Sequence, residues 1–108
     1  MAEIVLDTKQ ITDWASFHSI CKEAFGFPDF YGNNMNAWID CMSYLTIDDG
    51  FTNLTFSKDE LLHLVITDTE DFKKRLSDVF EALIECSAFA NNRYIDSNEN
   101  FRISLIFI

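Results

Sequence analysis

Residues 25–45 read FGFPDFYGNNMNAWIDCMSYL, and the fold is decided by how one helix ends and another begins inside this stretch. Gly26 permits a left-handed C-terminal turn and Pro28 refuses to continue a helix, so a preceding helix stops here. Asn33 or Asn34 can accept hydrogen bonds from the first free amides of a second helix, which predicts its start. Met35, Trp38, Ile39, Met42 and Leu45 give that helix an apolar stripe, while Asn33, Asn36, Asp40 and Ser43 share the opposite, polar side. The polar side carries a lone carboxylate, Asp40.

Upstream, residues 3–7 (EIVLD) suit a short buried strand, and Thr12 with Asp13 opens the first helix. Its inward face is expected at Trp14, Phe17, Ile20, Cys21, Ala24 and Phe25. Downstream, Asp48, Asp49 and Gly50 make a turn. Residues 51–56 (FTNLTF) and 61–67 (LLHLVIT) then read as strands, with a hairpin between them as one expectation. Thr67 and Glu70 have the spacing of a capping box, which predicts a long helix burying Phe72, Leu76, Val79, Phe80, Leu83, Cys86 and Ala90. Residues 91–100 read as a polar loop, and the closing FRISLIFI as a strand covered on both faces. Strands alternating with helices place the chain in the α/β class. The expectation is one domain over residues 1–108, with a small, mainly parallel three-stranded sheet packed by helices and residues 51–56 as an extra edge strand.

A chain of 108 residues with 48% hydrophobic and 15% aromatic side chains can build a core without disulfides or metals. Asp plus Glu number 18 against 8 Lys plus Arg, a net charge of -10, which disfavours direct binding to nucleic acid or anionic lipid and favours a basic partner. The first 20 residues lack the basic and apolar regions of a signal peptide, and no run approaches a membrane span. Cys21, Cys41 and Cys86 show no CxxC spacing and fall among apolar residues, as expected of buried thiols in a reducing cytoplasm. Gly26, Gly32 and Gly50 are isolated, so no glycine loop cradles a phosphate. His18 and Cys21 stand three apart on one helix, but no further ligand or orienting group accompanies them, and a core role outweighs chemistry. Asp78, Glu81 and Glu85 form an acidic helical face, which reads first as a solvated one. No cofactor, metal or catalytic residue is implied.

The segment PDFYGNNMNAWIDC, with Pro, an aromatic-Tyr-Gly turn, Asn, Ala and Asp-Cys at fixed offsets, closely resembles the barstar family. The order of elements along nearly the whole chain agrees with it, including the helix ending EALIECSAFANNR and the apolar last strand. The resemblance implies a single barstar-like domain that inhibits a ribonuclease by plugging its active site with the second helix and the loop before it. It places the loop aromatic at Phe30, the turn glycine at Gly32, the helix-capping asparagine at Asn34 and the phosphate-mimicking carboxylate at Asp40. Asn36 stands where the family has an earlier helix carboxylate, Ile39 where it has an exposed tryptophan, and Phe30 where it has a tyrosine. Ser43 completes the implied surface, and Glu81 and Glu85 correspond more weakly to the family's acids on the last long helix.

The leading reading is thus a non-enzymatic, cytoplasmic inhibitor or immunity protein for a basic ribonuclease, secreted or carried as a toxin domain. The alternative is a barstar-like module for a basic partner that is not a ribonuclease, such as another toxin or a regulator. The substitutions at Asn36 and Ile39 keep it open. A third reading, an enzyme using Glu81 and Glu85 or His18, would require turnover with no partner protein present.

Overall fold

In the computed structural model, which describes residues 2–48 and 50–108, three strands form one sheet among the described residues: β1 (Ala2–Leu6), β2 (Leu61–Ile66) and β3 (Arg102–Phe107). The order is β1-β2-β3 and both pairings are parallel, with Ile4 opposite Leu64 and Leu64 opposite Leu105. Parallel neighbours require long crossovers. The first carries a 3-10 turn (Thr8–Gln10), α1 (Trp14–Phe25) and α2 (Met35–Met42), and the second carries α3 (Thr69–Arg75) and α4 (Ser77–Asp96). Helix α1 packs on β1, α4 on β3, and α2 on α4. The chain is therefore α/β, as expected.

Helix α1 starts as its sequence dictates. The Asp13 carboxylate accepts from the Ser16 amide at 2.8 Å and the Ser16 hydroxyl accepts from the Asp13 amide at 3.0 Å, a reciprocal cap. Phe17, Cys21 and Phe25 enter the core, but Trp14 is 40% exposed, and His18 is buried instead. Trp14 lies stacked over the His18 ring and edge-on to Phe17, a cover at the helix start rather than part of the core. Gly26 ends the helix at φ 67°, where a Cβ would meet the Asn53 side chain at 2.5 Å.

The contact at Asn53 explains a correction. Residues 51–56 form no strand and no hairpin with β2. Both edges of β2 are taken by β1 and β3, so no place beside it remains. The backbone of the segment is spent elsewhere: the Asn53 amide donates to Phe25 O at 3.2 Å and the Phe56 amide to Leu45 O at 2.8 Å. Of the turn expected just before it, Asp49 lies outside the described residues.

The long helix is also corrected. Thr67 does not cap it: its hydroxyl accepts from the Thr8 amide and donates to Leu6 O, closing β2 onto β1. Asp68, at φ 46°, precedes α3 without a side-chain cap. Leu76 then breaks the helix at φ -137° and ψ 60°, and α4 begins at Ser77. Arg75 holds this join by donating to Ile11 O and Thr8 O, each at 3.0 Å. At its other end α4 runs to Asp96, through the stretch expected to be a loop. The asparagine content misleads because Asn91 serves the sheet. Its side-chain amide donates to Ile103 O at 3.0 Å and accepts from Ile103 N at 2.8 Å, completing the free side of β3. Strand β3 is not covered on both faces along its length: Ile103 is buried, but the strand ends on the exposed Phe107.

The buried centre contains Trp38 of α2, Phe17 and Phe25 of α1, Leu62 and Leu64 of β2, Phe72 of α3, Tyr94 of α4 and Phe101. Tyr94 is more than packing. Its hydroxyl donates to Met42 O at 2.6 Å and accepts from the Leu45 amide at 2.9 Å, binding the end of α2 to α4. Tyr94→Phe keeps the ring and strands both backbone groups in the core, a loss of about 1–3 kcal/mol for a buried unsatisfied group. The expected result is a clearly lowered midpoint in urea with an unchanged slope; a midpoint equal to the parent's would deny the hydroxyl this role.

Candidate functional site

The polar surface of α2 is built from its N-terminus upward. Asn34 is the cap, its side-chain oxygen accepting from the Ala37 amide at 2.8 Å, and Asn33 before it takes the left-handed φ of 52°. The Asn34 side-chain amide donates to Gly32 O at 3.2 Å, and a Cβ on Gly32 would lie 3.0 Å from that nitrogen, so the closeness of loop and cap favours glycine. Of the residues expected here, Asn34 and Gly32 shape the loop.

The preceding loop is held from beneath. Tyr31 is buried against Phe27, and its hydroxyl meets His18 Nδ1 at 2.5 Å. With Tyr31 turned inward, Phe30 is left 77% exposed. Phe30 stands edge-on to Phe51, which stands edge-on to Tyr44, and all three are exposed. Phe30 and Phe51 share a groove lining with Asp40, which sets an exposed aromatic cluster beside a carboxylate. Phe51 and Tyr44 were not singled out in the sequence, where Phe51 read as a strand residue.

Asp40 sits on the outer side of α2. Its Oδ1 accepts from Arg93 Nη1 of α4 at 2.7 Å, and the two side chains are 57% and 50% exposed. The same nitrogen lies 3.4 Å from Ser43 Oγ, whose hydroxyl donates back to Ile39 O at 2.5 Å. Arg93 is absent from the sequence-derived site: composition alone makes residues 91–100 a polar loop, although the barstar-like helix ending EALIECSAFANNR reaches it. The signal was present: Cys86, Ala90 and Tyr94 continue the inward spacing of the helix and carry Arg93 with them.

Two shallow grooves flank this pair. Phe30, Gly32 and Asp40 line one together with Tyr31, Ala37, Cys41 and Phe51. Asn36 and Ile39 line the other with Phe89, Asn92, Arg93 and Asp96. Ser43 lies beyond, with Tyr44 and Arg93. Glu85 and Glu81 are exposed on α4, eight and twelve residues before Arg93, hence about 12 and 18 Å from it along the helix axis. They line neither groove.

The thiols belong to the core. Burial pushes Cys21 up to about 12 and Cys41 up to about 11, the latter with help from the Asp40 charge, so neither is an activated nucleophile. His18 is held below its ordinary value by desolvation. Among the described residues no helix is long and apolar enough to cross a membrane.

Comparison with known proteins agrees with this architecture. A family model described as "Barstar (barnase inhibitor)" matches residues 1–106. The curated protein "Putative ribonuclease inhibitor YrdF" of Bacillus subtilis (strain 168) is 26% identical over 95 residues, an alignment covering 79% of this chain and all of that protein.

The buried His18 sets a pH dependence. In the unfolded chain it takes up a proton below its ordinary 6.5, whereas the fold opposes protonation, so stability present at neutral pH falls as pH drops through 6.5. The melting temperature should decline between pH 7.5 and 5, and His18→Gln should flatten that slope. Equal slopes in parent and variant would remove His18 as the cause.

Proposed function

This chain belongs to the barstar family, and on that premise we propose that it binds and blocks the active site of a ribonuclease through the loop and second helix, residues 30–43. Asp40 takes the place of an RNA phosphate. The observation that carries the reading is the setting of Asp40: an exposed carboxylate on a helix fixed at both ends, beside the exposed Phe30 ring. A ribonuclease must gather cationic groups to receive phosphates, and a rigid carboxylate satisfies them without offering a cleavable bond. Rigidity matters because little ordering entropy is lost on binding. Phe30 and Phe51 supply apolar contact around the charge, and the net charge of -10 draws a basic partner in from a distance. Nothing in this role calls for turnover or a cofactor.

A specific observation supports the competing reading, a basic partner that is not a ribonuclease. Asn36 and Ile39 replace two of the family's contact residues, so the groove they line with Phe89, Asn92, Arg93 and Asp96 lacks the acid and the tryptophan that the family presents there.

Asp40→Ala tests the role. Removing a carboxylate from a desolvated charge pair leaves the partner's cations uncompensated, a loss of about 2–5 kcal/mol, a range that rests in part on measurements of the barnase–barstar complex itself. Inhibition of the cognate ribonuclease should therefore weaken severely, while the melting temperature stays near the parent's, because an exposed ion pair contributes only about 0–1 kcal/mol to the fold. Asn36→Asp should strengthen binding to a barnase-like enzyme. Undiminished binding by Asp40→Ala would sink the phosphate-mimic mechanism.

A further inference from the structure

We propose that Arg93 is a specificity-determining residue of this face: an internal cation, held at Asp40, that competes with the partner's cations and so disfavours pockets lined by positive charge alone. The proposal rests on the reading that Asp40 is the docking carboxylate. Its basis is the geometry of the pair. Arg93 donates end-on through Nη1 alone, to Asp40 Oδ1 and Ser43 Oγ, and among the described residues its Nε and Nη2 have no hydrogen-bond partner and Asp40 Oδ2 accepts no bond. The free edge of the guanidinium and the free carboxylate oxygen remain open to a partner, one as donor and the other as acceptor.

The placement of Arg93 is built into the fold. The next residue, Tyr94, is bonded to Met42 O and Leu45 N at the end of α2, which fixes the register of α4 against the helix that bears Asp40. Ser43 also takes part: its hydroxyl proton is committed to Ile39 O, so its oxygen can only accept from Arg93. The side chain is half exposed, and an exposed pair is weak enough to open. A partner arginine or lysine approaching Asp40 must therefore either displace Arg93 or sit beside a like charge. A pocket that includes a carboxylate near its cations suffers neither penalty, because the carboxylate can receive the free edge of Arg93. The partner that fits this face is accordingly a basic pocket containing at least one acidic side chain.

Hexa-arginine and the alternating peptide (Arg-Asp)3 are the defined probes, titrated into isotopically labelled parent, Arg93→Gln, Asp40→Asn and the double variant. Amide resonances of residues 30–43 report on the site. Arg93→Gln should bind hexa-arginine about fivefold more tightly than the parent, the scale of one exposed ion pair, and that gain should vanish in the Asp40→Asn background. Toward (Arg-Asp)3 the same substitution should give no gain. An unchanged affinity for hexa-arginine, or an equal gain with and without Asp40, would overturn the proposal, the second by reducing the effect to net charge. Inhibition of barnase by the same four proteins is measured separately. Failure of all four would count against barnase as a target of the docking face, and the peptide cycle would still decide the role of Arg93.

Discussion

The hydroxyl of Tyr94, bonded to Met42 O and Leu45 N, is the constraint on which the candidate face depends. Helix α2 has only eight residues, and a helix so short is not stable by itself in water. It is made rigid by three things: the Asn34 cap at its start, the burial of Trp38, Cys41 and Met42 along its inner side, and Tyr94 at its end, where carbonyls would otherwise lack partners. That last bond ties the end of the helix bearing Asp40 to α4. The same tyrosine fixes the turn of α4 that presents Arg93. One buried hydroxyl thus positions both charges of the pair.

The parts of this fold that sequence reading recovers are those written in local chemistry. Asp13 and Asn34 start helices because their side chains can bond the first amides, and Gly26 ends one because the chain must turn left-handed there. These signals need no knowledge of the rest of the chain. The misread parts are those where a distant partner decides. Thr67 has the spacing of a cap, but β1 claims its hydroxyl. Residues 51–56 have the composition of a strand, but α1 and the chain after α2 claim their amides, and the sheet has no place beside β2. The break at Leu76 carries neither Gly nor Pro, and the apolar spacing passes through it undisturbed.

The site shows the same division. Phe30, Gly32 and Asp40 line one groove because they are close in sequence, and it is the resemblance to the barstar family, with Asn34 as the cap, that groups them. Arg93 lies 53 residues from Asp40 and joins it only through the packing of α4 on α2. An asparagine-rich stretch looks like a loop to any reading based on propensity. Its helical state is supported by Tyr94 facing inward and by the two hydrogen bonds between Asn91 and Ile103, neither of which propensity registers.

The pair also separates two electrostatic roles that a bare carboxylate would merge. At long range a partner senses the whole excess of 18 acidic over 8 basic residues, and that attraction survives out to about the Debye length, roughly 8 Å at physiological salt. In the proposed docking mode it senses Asp40 and Arg93 together at contact, a dipole whose field dies away faster than that of a single charge. Net charge can therefore speed the encounter with any basic surface without deciding which complex lasts. Discrimination falls to the short-range arrangement, where a misplaced positive group meets Arg93 and a well-placed carboxylate is received by it. A strongly acidic inhibitor with a purely acidic contact face would hold many basic proteins in a cell. Placing one arginine beside the central aspartate keeps the speed of the encounter and narrows the set of partners that can stay.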